Sequence, residues 1–334
     1  MRDGSLISPV DRQLIALLVD GRFHSGTELA GALGVSRSAV WKHLQGLSEL
    51  GIEILAVSGK GYRLATPMDL LDSERIFAYL HHRASGLLTG LEVHGLIAST
   101  NTYLHELAEQ GVPGGLVCLA ERQTAGKGRR GRQWVSPFGR NIYLSILWRF
   151  QGGPAAIAGL SLALGVATIQ ALRQLGAHDV GLKWPNDIYW RQRKLGGILI
   201  EVSGESDGPC HAVAGLGLNV DMSAKQGEAI DQDWADLVAV LGGSARPDRN
   251  RVSGVLLNHW LPVLAEFEQR TLVDYIEDWR EVDCMVGKTV DISIGNLEHR
   301  GTVAGIDDQG FLLLTDANGE LRRFASGEVS FSKS

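Results

Sequence analysis

The stretch from Ala155 to Leu175 is apolar with few charges, and a helix that is hydrophobic all round must be buried on every side. Burying it takes a layered domain with a sizeable core. No uninterrupted apolar run of about 18 residues occurs, so the segment belongs in a core and not in a membrane. The chain has 334 residues, enough for two or three domains at roughly 100–200 residues each. Its 44% hydrophobic and 21% charged residues are ordinary for a globular protein and exclude wholesale disorder. Met1 to Val10 lack a cationic start followed by an apolar stretch, so no secretory signal is expected. Cys118, Cys210 and Cys284 are far apart, without CxxC spacing. That sparse set argues for a reducing, cytoplasmic setting and against a disulfide frame or a zinc site.

Three textures follow one another, and they predict an α+β multidomain chain divided at 1–66, 73–283 and 284–334. In the first, Leu14, Ile15, Leu17 and Leu18 recur at helical spacing before Gly21. Ser25 and Glu28 stand in capping-box register for a second helix ending at Gly34, and Ser36 caps a third ending at Gly51. Two short apolar runs around Ser58-Gly59-Lys60-Gly61 then read as a wing. The whole is a winged helix-turn-helix, in which Ser36, Arg37, Ser38, Trp41 and Lys42 face a DNA groove and Lys60 reaches phosphate. Its net charge is only +1, so few phosphate contacts per copy are available and operator binding needs two copies. Such units also serve for docking or dimerisation, and that alternative stays open.

The middle texture mixes helices with strands expected at 116–120, 142–148, 180–184, 197–202 and 212–216, a mixed α/β core. The last is short strands between Gly, Asn and Asp turns, at 289–294, 301–306, 311–315 and 321–324, which predict a small barrel.

The sharpest chemistry lies in Gly126-Lys127-Gly128-Arg129-Arg130-Gly131-Arg132, four cations and three glycines in one loop. Glycines let backbone N–H groups approach an anion, and arginines supply forked donors to phosphate or carboxylate. Its GxGxxG match lacks the small apolar filling and the later acidic residue of a dinucleotide site, and no Ser or Thr follows the lysine as in a Walker loop. A segment so charged and so poor in apolar anchors is expected to be mobile when empty and to order over an anionic ligand. Lys183-Trp184-Pro185-Asn186-Asp187 places a lysine, an amide and a carboxylate at a strand end, where Asp187 is a candidate magnesium ligand. Arg193-Lys194-Leu195-Gly196-Gly197 leads into an apolar strand, and Gly215-Leu216-Gly217-Leu218-Asn219 offers another close backbone approach. Gly159-Leu160-Ser161-Leu162-Ala163 is no nucleophile elbow, since it ends in Ala inside the buried-helix pattern. No histidine cluster has metal spacing, and His81-His82 reads as surface.

Together with Ser99-Thr100-Asn101, Gln123 and Trp134-Val135-Ser136-Pro137, these motifs resemble the bacterial bifunctional biotin–protein ligases that double as biotin-operon repressors. The resemblance spans essentially the whole chain. It implies a ligase core of the biotin/lipoate type, a C-terminal SH3-like barrel, and biotin, ATP and magnesium as small-molecule partners. The implied reaction activates biotin as biotinyl-5′-adenylate and passes it to a lysine of a biotin carboxyl carrier protein. The expected biotin site comprises Ser99, Thr100, Asn101, Gln123, Lys127, Gly128, Arg129, Lys194 and Gly215. ATP or the adenylate is expected on Gly126, Arg129, Arg130, Gly131, Arg132, Trp134, Lys183, Asn186, Asn219 and Trp234, with Lys183 and Arg129 as the catalytic pair. The resemblance further implies operator DNA as a partner and a homodimer when the adenylate is bound. A lipoate or octanoyl ligase, and a ligase whose winged helix only docks or dimerises, are the competing assignments. Two positions depart from the family: Lys127 stands where arginine is common, losing the planar fork, and the tail Gly327–Ser332 lacks an arginine.

Overall fold

The computed structural model describes residues 8–205, 208–243 and 246–332. Helices Pro9–Leu18, Gly26–Leu33 and Arg37–Glu49 form the first unit, followed by the antiparallel wing strands Ile54–Val57 and Gly61–Leu64. The capping box at Ser25 and Glu28 is present, and Gly34 closes the helix with φ +65°, a left-handed value that favours glycine. Leu14, Ile15, Leu29, Val40, Leu44 and Leu47 form the core of this unit.

A seven-stranded mixed sheet organises the middle of the chain. Its spatial order is Gly90–His94, Leu116–Ala120, Ile142–Phe150, Cys210–Leu218, Arg193–Gly204, Asp187–Trp190 and Val180–Lys183. Only the first pair is parallel. The strand Ile142–Phe150 is buried along nearly its whole length, as a central strand covered on both faces must be. Helix Leu160–Gln174 packs on one side of the sheet beside the long helix Arg249–Arg270, where Trp260 donates to Thr168 Oγ1 at 3.0 Å. Helix Thr100–Glu109 packs against the strands Ile142–Phe150 and Cys210–Leu218.

Several boundaries differ from those expected. The apolar segment does not start as a helix at Ala155: Pro154–Ile157 is a 3₁₀ turn, Gly159 takes φ +83°, and the helix begins at Leu160. Pro154–Gln174 is long and apolar enough by composition to cross a membrane, yet eleven residues of the helix are buried in the protein core. The segment after Pro185 is not merely a turn, because Asp187–Trp190 forms a strand paired with Val180–Lys183. Arg193 to Gly197 lie within the strand Arg193–Gly204, not before it. The C-terminal unit is a five-stranded antiparallel sheet in the order Leu321–Phe324, Leu312–Thr315, Leu297–Ile306, Thr289–Ile294 and Glu328–Phe331, in keeping with the SH3-like barrel expected there. Its last strand, Glu328–Phe331, escaped the sequence pattern because only Val329 of its four residues is buried.

The units are closely joined. Met68 and Phe138 complete the core of the winged helix, and Arg122 Nη1 donates to Leu50 O at 2.7 Å. Next to Arg122, Glu121 is paired with Arg249 at 2.7 Å, and both are almost fully buried. The same carboxylate accepts from Leu71 N at 2.5 Å, so it ties the linker to the sheet and to the long helix. Glu121→Ala would leave the Arg249 charge buried and uncompensated, a loss of about 3–5 kcal/mol. Urea unfolding followed by tryptophan fluorescence checks this, and a midpoint unchanged from wild type would contradict it.

Candidate functional site

Three chain segments and one glycine build one end of a cleft of about 1290 Å³. Ser99 caps the helix Thr100–Glu109, accepting from Thr102 N. Residues 123–125 run beside 97–98, with Thr124 N donating to Ile97 O at 2.9 Å. That places Gln123 Oε1 as acceptor for Thr100 N at 2.9 Å and Thr100 Oγ1 at 3.1 Å. Ser145, on the central strand, sits 2.7 Å from Thr100 Oγ1 and donates to Asn101 Oδ1 at 2.6 Å. Asn101 fits because position 215 is glycine: a Cβ there would lie 2.2 Å from Asn101 Oδ1. Ser99, Thr100, Asn101 and Ser145 are all buried, so this is a satisfied polar network in a closed pocket, suited to a small neutral polar group.

The glycine–arginine loop closes over the cleft as a short hairpin. Trp134 N donates to Gly126 O at 2.9 Å and Gly128 N to Arg132 O at 2.7 Å. Arg130 takes φ +55° and Gly131 φ +76° at its tip. Its cations find acceptors on three sides. Arg129 donates to Asn186 Oδ1 at 3.2 Å, Arg130 to Ser293 O at 3.2 Å, and Arg132 pairs with Glu328. Two of these tethers reach the C-terminal unit. Burial lowers the Arg129 pKa, with Asp187 opposing that shift.

Past the loop, Lys183 ends its strand in a nearly buried position. Its Nζ lies 5.0 Å from the ring centre of Tyr189 and 5.8 Å from that of Phe331, so aromatic faces partly replace water around the charge. Burial pulls its pKa below the ordinary lysine value, and Asp187 opposes that shift. Lys194 Nζ pairs with Asp187 at 3.0 Å and lies 5.6 Å from the Trp134 ring centre. The backbone of Lys194 holds residues 233–235 at 2.9 Å on each side, which brings Trp234 into the cleft. Asn219 Nδ2 donates to Ala235 O at 3.1 Å. Gly217 and Gly227 make room for the two indoles, since a Cβ would come within 2.4 Å of Trp134 and 2.3 Å of Trp234.

The expected small-molecule site residues therefore converge. Ser99, Thr100, Asn101, Gln123, Lys127, Gly128, Arg129, Arg130, Arg132, Trp134, Lys183, Asn186, Asp187, Lys194, Gly215, Asn219 and Trp234 line one cleft. Gly126 and Gly131 shape the loop without lining it. Sequence reasoning missed Ser145, Tyr189, Phe331 and Glu328. The clearest signal for Ser145 was a lone polar residue inside Ile142-Tyr143-Leu144-Ser145-Ile146-Leu147. Among the described residues no group of three or more His, Cys, Asp or Glu side chains is placed to hold a metal ion, and Asp187 already has Lys194 as partner. The cleft exceeds the roughly 300–1,000 Å³ of ordinary single-ligand pockets, and its neutral network lies at one end with cations through the middle.

None of Ser36, Arg37, Ser38, Trp41, Lys42 and Lys60 lines the cleft, and all are exposed. Ser36 Oγ caps its helix by accepting from Ala39 N at 3.2 Å, and Trp41 is 54% exposed.

Residues 93–219 match the biotin/lipoate A/B protein ligase family, residues 11–63 an HTH domain, and residues 286–332 the biotin protein ligase C terminal domain. The bifunctional ligase/repressor BirA of Salmonella typhimurium is 42% identical, with 95% of this chain and 96% of that protein covered. The Bacillus subtilis protein of the same name is 31% identical over 96% and 98%. Among solved structures, a biotin protein ligase from Aquifex aeolicus in complex with biotin and ATP superposes with a TM-score of 0.62 at 26% identity. That match covers 74% of this chain and all of the other. With the winged helix, ligase core and C-terminal unit all represented, the chain belongs to the biotin protein ligase family, alongside the bifunctional ligase/repressors.

Proposed function

We propose that the chain is an ATP-dependent biotin–protein ligase and a biotin-responsive repressor, with units at 1–66, 73–283 and 284–334. The observation that carries the ligase reading is the pairing, in one cleft, of a buried network of uncharged polar side chains with a set of cations, Lys183 buried, Arg129 and Lys194 half-buried and the loop's Lys127, Arg130 and Arg132 exposed. Biotin's ureido ring suits the network of Ser99, Thr100, Asn101 and Gln123, with Gly215 leaving the space. Its carboxylate then points toward the cations. Lys127, Gly128 and Arg129 cover that junction, with Lys194 beneath. The triphosphate follows Gly126, Arg130, Gly131 and Arg132, while Trp134, Asn186, Asn219 and Trp234 surround the nucleoside.

In the first step a biotin carboxylate oxygen attacks the α-phosphorus of ATP and pyrophosphate leaves, giving the mixed anhydride. Negative charge builds on the phosphoryl oxygens, where Lys183 and Arg129 stabilise it from a water-poor setting. In the second step the amine of an acceptor lysine attacks the anhydride carbonyl carbon and AMP leaves. The nucleophile arrives on the carrier protein, so the chain needs no Ser or Cys nucleophile, only positioning and charge. Magnesium would be held chiefly through the phosphate groups of ATP, where it would offset their negative charge. Asp187 would join them only by releasing Lys194. The competing lipoate assignment is disfavoured by the polar network, because a dithiolane ring offers it no hydrogen-bonding partner.

The adenylate, covered by the loop, is proposed to promote homodimerisation and so to bring two winged helices to an operator. Helix-turn-helix dimers read half-sites about 34–36 Å apart, or multiples of that. Ser36, Arg37, Ser38, Trp41 and Lys42 would face the groove and Lys60 a phosphate.

Three outcomes follow from this geometry. Lys183→Ala lowers the rate of adenylate formation by roughly 10²–10³, read by single-turnover pyrophosphate release. A rate within about twofold of wild type would remove Lys183 from the mechanism. The protonated lysine is the working form and burial depresses its pKa, so the rate of adenylate formation, measured without acceptor protein, is flat around neutral pH and falls as pH rises. The fall comes below the ordinary lysine value of about 10.4, and a profile flat through that value would contradict it. Lys60→Ala reduces the slope of log affinity against log salt by about 1 per monomer without changing operator preference, read by fluorescence anisotropy at several salt concentrations.

A further inference from the structure

Glu201 does not line the cleft, yet it touches two segments that do. It is the only charge in Leu195-Gly196-Gly197-Ile198-Leu199-Ile200-Glu201-Val202, on the strand Arg193–Gly204. Its Oε2 accepts from Asn101 Nδ2 at 2.8 Å, and its Oε1 lies 3.5 Å from Lys127 Nζ. The first contact decides which way the Asn101 amide points. Ser145 donates to the amide oxygen at 2.6 Å, so the NH₂ must face the opposite side, where Glu201 receives it. Without that carboxylate, the nearest remaining acceptor is Leu199 O at 3.4 Å, a poor partner for a buried donor. The second contact holds the leading cation of the loop. Arg130 and Arg132 are anchored on the C-terminal unit, so Lys127 to Glu201 is the tether on the opposite side.

We propose that Glu201 is a positioning residue for the ligase reaction: one carboxylate orients Asn101 at the ring-binding end and holds the loop's Lys127, setting pocket and cover together. The identity of the ligand rests on the function proposed above, whereas the tether itself does not. A lysine at 127 fits this arrangement, since a single ammonium meets one carboxylate oxygen that Asn101 leaves free.

Two substitutions separate the halves. Glu201→Gln keeps an acceptor for Asn101 and removes the charge that holds Lys127, whereas Glu201→Leu removes both. Limited subtilisin digestion without ligands should cut the 126–132 loop of Glu201→Gln about two- to fivefold faster than wild type, as expected for a half-exposed ion pair. Lys127→Ala should match it, and the double variant should cut no faster than either single one. Titration with biotin alone should show Glu201→Gln within about threefold of wild type and Glu201→Leu weaker by about tenfold or more. In turnover, Glu201→Leu should raise the biotin KM with kcat changed less than about twofold. Equal loop cleavage in Glu201→Gln and wild type, additive effects in the double variant, or wild-type biotin affinity in Glu201→Leu would overturn the proposal. Should Glu201→Leu not fold, the digestion of Glu201→Gln and Lys127→Ala decides alone, because both keep the Asn101 contact. Wild-type protein that bound no biotin would instead refute the ligand assignment, leaving the digestion result to stand by itself.

Discussion

Gly215 and Gly217 lie two residues apart on a central strand of the large sheet, so both lack a Cβ on the same face, and the cleft is built on that missing surface. Asn101 occupies the space above Gly215 and Trp134 the space above Gly217, each at distances no side chain would permit. The neighbouring strand continues the pattern, since Gly197 pairs with Gly217 in the ladder and lies beneath Trp134. A sheet normally excludes ligands by packing one side chain at each position. Here the omission lets a polar network and an indole rest directly on backbone, and everything with chemical consequence is arranged around them.

Charge is then supplied from several sides, because like cations crowded on one element would repel one another. Lys183 comes from an edge strand, Lys194 from its neighbour but one, and the arginines from the loop. Each is managed differently. Lys194 is paired with Asp187, Arg130 and Arg132 lean on the C-terminal unit, and Lys183 is left against Tyr189 and Phe331 with its pKa depressed by burial. The C-terminal unit thus forms part of the cleft wall, not a detached appendage. The winged helix is also tied to the site by the chain itself: Arg122, beside Gln123, caps Leu50 O, and Phe138, two residues after Ser136, enters the winged-helix core.

Much of this was legible in the sequence wherever local chemistry settles local structure. Ser25 with Glu28 and Gly34 bounds a helix by capping and a left-handed stop, and the strands at 116–120, 289–294 and 321–324 appear at the expected residues. The motifs rich in Gly, Lys and Arg announced the cleft because anion binding needs those residue types close together. What escaped was long-range. Glu328–Phe331 shows no alternation strong enough to mark a strand, and Asp187–Trp190 hides behind a Pro-Asn turn signal. Ser145 and Glu201 are single polar residues in apolar strands. That signal becomes interpretable only once Asn101 is known to lie between them, because their partners are more than forty residues away. The loop's tethers escaped for the same reason: its partners Ser293 and Glu328 belong to a different unit.

Transfer of biotin itself is the decisive reaction. The purified protein would be incubated with biotin, ATP, magnesium and a biotin carboxyl carrier domain, and the acceptor read by intact and peptide mass spectrometry. A biotin–protein ligase places one biotinyl group on one acceptor lysine, with one AMP and one pyrophosphate released for each transfer. An unmodified acceptor, or modification by lipoate in preference to biotin when both are offered, would contradict that assignment.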